Sequence, residues 1–131
     1  MQFERSSGTL VGLAIGDILG APLEGEWPPR RYISGIEPGG ITQRRRGQYT
    51  DDTLQAVAVA KSFVQCRSFC PEDMMLRLTR AYTENPAFFG PTSSRVFELV
   101  LRGVPREKAV REVHEMNKGS RSNGSVMRGL P

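Results

Sequence analysis

Histidine occurs once in the 131 residues, at position 114, and cysteine twice, at 66 and 70. Two thiols four apart, with no histidine or further cysteine beside them, make a poor zinc site. They read instead as free thiols in a reducing compartment, with Cys66 packed in the core. Apolar runs of bilayer length are missing too, and Met1-Gln2-Phe3-Glu4-Arg5 lacks the charged-then-apolar pattern of a leader. The expectation is a cytoplasmic chain with no membrane partner. No segment alternates polar and apolar residues between turn signals as a strand would, so the chain reads as all-α. Aromatics are only 8% of residues, and none is interleaved with Arg30-Arg31 or Arg44-Arg45-Arg46. Those runs, within a net charge of +4, read as a solvated loop or as steering for an anionic ligand. No nucleic-acid partner is expected from them.

What is present is ordinary in bulk, with 38% hydrophobic and 24% charged residues in a chain long enough for one cored domain. Ser6 or Ser7 is placed to cap a first helix running to about Glu24, with Leu10, Ala14, Ile18 and Val11, Ile15, Leu19 on adjoining rows. Gly8, Gly12, Gly16 and Gly20 line a smooth ridge on it, a pattern that suggests close approach by a helix or ligand. Asp17, set among apolar residues, needs a hydrogen-bond partner or a charge if it is buried.

From Gly25 to Tyr49 the pattern dissolves. Pro28, Pro29, Pro38 and Gly39-Gly40 mark a long irregular loop of the kind that can cover a site, with Trp27 and Tyr32 as its anchors or as part of a binding surface. Helical spacing returns over Thr53–Gln65. It appears again from Pro71, with a stripe of Met74, Met75, Leu78 and Tyr82 that belongs to the core. Asn85-Pro86 ends that helix. A fourth follows Gly90-Pro91-Thr92 through Val96, Phe97 and Leu101, and a fifth spans Pro105 to about Met116. His114 falls four after Val110 and is expected on that helix's apolar face or on the surface, without a catalytic role.

Two stretches carry chemistry. Thr50-Asp51-Asp52-Thr53 opens the second helix, and its oxygens suit a hard divalent cation. The same residues also suit plain capping, since Thr50 is a good N-cap and acids favour a helix start. Lys118-Gly119-Ser120-Arg121-Ser122-Asn123-Gly124-Ser125 is a small-residue loop leading into Val126-Met127-Arg128. Its backbone amides can converge on a phosphate, and Arg128 is placed either to reach an anion or to lock the loop.

Taken in order, Gly12 to Glu24, Thr50 to Thr53, Gly90 to Thr92 and Lys118 to Arg128 resemble the ADP-ribosylglycohydrolase family, the ADP-ribosyl-acceptor hydrolases. The resemblance covers nearly the whole chain. It implies an orthogonal multi-helix bundle, of which about five to six helices here form the N-terminal half. It implies that Thr50, Asp51 and Asp52 are metal ligands for magnesium or manganese, with two ions in the complete family site. Glu24 matches a glutamate that takes part in catalysis or gating. Lys118, Gly119, Ser120, Arg121, Ser122, Asn123 and Gly124 fall on the loop that holds ADP-ribose or an ADP-ribosylated substrate, while Asp17 and Arg128 match positions that orient the site. Family members are longer and carry a second Asp-x-Asp-Thr cluster near the C-terminus. Residues 1–131 are therefore expected to be a single, C-terminally truncated domain with impaired hydrolysis. Such a domain would pair with a second copy or with a complementing C-terminal chain. The alternative is a non-catalytic ADP-ribose-binding or structural half-domain that needs a partner chain.

Overall fold

The computed structural model describes residues 2–26 and 32–129, and Trp27 with the Arg30-Arg31 pair lies outside them. Among the described residues the architecture is all-α, with no strand. Helix α1 spans Gln2–Gly20, α2 Asp51–Cys66, α3 Pro71–Glu84, α4 Pro91–Leu101, α5 Arg106–Met116 and α6 Gly124–Arg128. Short 3₁₀ turns follow α1 at Ala21–Leu23 and precede α4 at Pro86–Phe88.

Helix α1 starts ahead of Ser6 and Ser7, so neither caps it, and it stops before Glu24 because Pro22 cannot continue the α-helical bonding pattern. Its glycine ridge faces open space. A Cβ built on Gly8, Gly12, Gly16 or Gly20 would meet nothing within 4 Å, so among the described residues no helix packs against it. Val11, Ile15 and Leu19 are exposed as well. The span Glu4–Leu23 is long and apolar enough by length and composition to cross a membrane. That corrects the expectation that no such run exists: charged residues are sparse in this helix because glycines and alanines occupy the places between its aliphatic rows.

The core sits where α2, α3 and α4 meet, built from Ala58, Val59, Met74, Leu78, Phe89 and Phe97. Tyr82, Phe89 and Phe97 pack ring against ring. Phe89 stands edge-on to Tyr82 at 5.5 Å and to Phe97 at 5.9 Å between centroids. The Tyr82 hydroxyl donates to Glu98 Oε1 at 3.0 Å, giving the one polar end of this cluster a partner. Helix α5 seals the far side of α4 through Ala109 and Val113, both buried. His114 and Val110 are exposed on it, so the apolar face runs through Ala109 and Val113 instead. Cys66 and Cys70 are free and half-buried at the α2–α3 turn. Tyr32 is fully exposed and anchors nothing.

Candidate functional site

The site begins with an aspartate in α1. Asp17 is only 7% exposed, and its carboxylate accepts four hydrogen bonds from the start of α2. Oδ2 takes the amide of Thr50 at 2.8 Å, the amide of Thr53 at 3.1 Å and the Thr53 hydroxyl at 2.6 Å, while Oδ1 takes the Thr50 hydroxyl at 2.7 Å. A helix start carries unpaired amides and partial positive charge, and a buried carboxylate answers both. Thr50 does occupy the N-cap position, with extended backbone, but makes no side-chain cap bond within its own helix. The cap comes from α1. The expectation that the Thr50 hydroxyl caps α2 is corrected by this geometry.

With Thr50 and Thr53 turned inward, Asp51 and Asp52 are left facing a cleft of about 950 Å³. Glu24 lines the same wall, with Phe88, Phe89, Gly90 and Pro91. Lys118, Gly119, Arg121, Ser122, Asn123 and Gly124 line the same cleft. The two informative stretches of sequence, nearly seventy positions apart, therefore line one opening. Thr50 and Ser120 are not on that wall. Thr50 is fully buried against Asp17, and the Ser120 hydroxyl pairs with that of Ser122 at 2.9 Å.

The loop keeps its shape from the end of α5. The Gly119 amide closes on His114 O at 2.9 Å, with φ of +51° at Lys118 and +98° at Gly119. Asn123 then turns the chain into α6, its carbonyl accepting from the Val126 amide at 2.8 Å. Gly124 is buried.

The acids repel one another. Burial, followed by the carboxylates of Asp52 and Glu24, pushes the Asp51 carboxyl up to about 6. Burial, Asp17 and Glu24 push Asp52 up as well, opposed by the Arg44 guanidinium. Arg44 is itself buried, which corrects its reading as part of a solvated or steering loop. It donates to Ala21 O at 2.9 Å and to Glu24 Oε2, and its guanidinium carbon stands 5.7 Å from the centre of the Phe88 ring. The tight turn bridging Gly39 to Arg44 delivers it there. Gly40, at φ +81°, is required in that turn, because a Cβ would fall 2.3 Å from Ala21 O.

These donors fit a hard divalent cation. Two half-buried carboxylates repelling one another are the oxygen pair that magnesium uses while keeping water or substrate oxygens as its other ligands. Among the described residues, no three His, Cys, Asp or Glu side chains gather into a metal-holding group.

Two residues that hold the acids of the cleft escaped sequence reasoning. Arg44 carries no local signal of burial. Gln55 donates from Nε2 to Asp51 Oδ2 at 3.0 Å and accepts from Arg128 at 2.6 Å, and its i, i+4 spacing from Asp51 was the available clue.

Residues 1–131 match a model described as ADP-ribosylglycohydrolase. ADP-ribosylhydrolase ARH3 of Gallus gallus is 31% identical over 97% of this chain and 39% of its own length. ADP-ribosylarginine hydrolase Tri1 of Pseudomonas putida is 28% identical over 98% of this chain and 35% of its own. A solved structure titled ADP-ribosylglycohydrolase-related protein complex superposes with a TM-score of 0.67 at 34% identity, covering 95% of this chain and 40% of that one. The chain thus spans between 35% and 40% of the length of these three proteins.

Proposed function

The chain belongs to the ADP-ribosylglycohydrolase family, and from that premise we propose that its cleft binds ADP-ribose with a divalent cation, for hydrolysis of the bond between ADP-ribose and an acceptor. One observation carries the reading: Asp51 and Asp52 line the same cleft as the Lys118–Gly124 loop. An anionic nucleotide sugar has room there, with Lys118 and Arg121 to meet its phosphates.

Asp51 and Asp52 would hold magnesium or manganese, which when bound supplies Lewis-acid polarisation of sugar and water oxygens. The chain's own residues do the rest. Asp17 keeps the first turn of α2 in place, so that the two acids keep their direction. Arg44 grips Glu24 Oε2 and holds that carboxylate on the cleft wall, where it can take a proton from an attacking water. The Gly119–Gly124 backbone and the Asn123 side chain orient the nucleotide, and Phe88 and Phe89 exclude water beneath it.

The test is release of ADP-ribose from an ADP-ribosylated arginine peptide with manganese, with chelator, and with Asp51→Asn or Asp52→Asn. Turnover that survives both chelator and substitution would overturn the reading. A second reading, ADP-ribose binding without turnover, draws on the lack of a three-residue metal-holding group among the described residues. It predicts calorimetric binding of ADP-ribose that Asn123→Ala weakens, with no product released.

A further inference from the structure

Gln55 lies one turn after Asp51 on α2, and its side chain is fully buried. Charged groups hold it at both ends: Nε2 donates to Asp51 Oδ2 at 3.0 Å, and Oε1 accepts from Arg128 Nη1 at 2.6 Å. These partners fix which way the amide points. Turned over, it would set its oxygen against a carboxylate and its N–H groups against a guanidinium. Arg128, for its part, reaches back along α6 toward Gly124. A Cβ on Gly124 would stand 3.5 Å from its Nη2. One amide therefore joins Asp51 to the short helix that follows the loop, across 73 positions of sequence.

We infer that Gln55 is a positioning residue: it holds Oδ2 of Asp51 so that the other carboxylate oxygen presents to a cation, and Arg128 holds Gln55 in that orientation. The inference rests on the reading of Asp51 as a cation holder. Partners of this kind, one step behind a ligand, typically change metal affinity about 10- to 100-fold when removed. A glutamine that merely filled the interior would behave differently. Methionine, of similar length and volume, would then replace it with no effect on cation binding.

The experiment titrates Mn²⁺ into the full chain by electron paramagnetic resonance, in wild type, Gln55→Met and Arg128→Met, with circular dichroism melts alongside. Gln55→Met is expected to weaken Mn²⁺ binding by about 10- to 100-fold while remaining helical. Arg128→Met is expected to weaken it too. That direction is diagnostic, because removing a positive charge near two acids should, by Coulomb's law alone, tighten cation binding. Mn²⁺ affinity within twofold of wild type in Gln55→Met, or tighter binding in Arg128→Met, overturns the inference. Should Gln55→Met fail to fold, the sign of the Arg128→Met effect decides it. Wild type that takes up no Mn²⁺ defeats the proposed function and this inference together. Binding in wild type with unaltered variants defeats this inference alone.

Discussion

Four hydrogen bonds converge on the Asp17 carboxylate, two of them from amides that no other group in the helix can satisfy. Asp17→Asn exchanges one accepting oxygen for an amide NH2 that faces donors. The expected cost is about 3 kcal/mol, read as a drop in melting temperature of about 10 °C. Asp51 has the opposite character, because burial and the charges of Asp52 and Glu24 raise its carboxyl to about 6, against 3.8 without those influences. A raised carboxyl means that the folded chain holds the proton more tightly. Its stabilising contribution is therefore complete below pH 3.8 and is lost as pH rises through 6. Melting curves in chelator should show the stability that wild type loses between pH 4.5 and 7, to about 1 pH unit of precision at each end, and Asp51→Asn should lose less over the same range. At neutral pH and without cation, Asp51→Asn should melt higher than wild type, since Asn keeps the oxygen that accepts from Gln55. The acids at the cleft wall are held against a cost in stability, as is common where function needs like charges together.

Helix α2 owes its direction to α1, and the Gly39–Arg44 turn owes its seat to the Ala21–Leu23 turn. Gly40→Ala should unseat it. The Cβ would collide with Ala21 O at an already left-handed backbone, costing about 1–3 kcal/mol. Hydrogen exchange should then rise over residues 39–44 and leave α3 to α5 unchanged. These dependences explain what the sequence could and could not reveal. Helices α3, α4 and α5 were legible because Pro71, Gly90-Pro91 and Pro105 punctuate strong apolar stripes. So were the acid pair and the loop, whose residue types are unusual for their places. Ser6 and Ser7 misled, as good caps that the helix runs straight through. The glycine ridge meets no helix among the described residues, and spacing alone cannot say what a ridge will face. The partners of Asp17 and Arg44, and the Arg128 partner of Gln55, lie 20 to 73 positions away. Separations of that size leave no trace in a local pattern.

At the scale of the whole molecule, the cleft and the bare side of α1 are separate surfaces with separate fates. Ile15 is 51% exposed, so Ile15→Lys should change stability by no more than about 0.5 kcal/mol. It should also lower the apparent mass in sedimentation at high concentration, if copies of the chain meet through Val11, Ile15 and Leu19 as their exposure suggests. Equal masses for the two proteins across concentrations would remove that face from the account. The tie between Asp17 and the head of α2 has a further consequence for anyone transplanting the motif. Thr50-Asp51-Asp52-Thr53 copied into a foreign scaffold would bring two acids and no aim, because their bearing is set by a carboxylate donated from another helix. The smallest portable unit is the pair of crossed helices, and the tetrapeptide is only its visible tip.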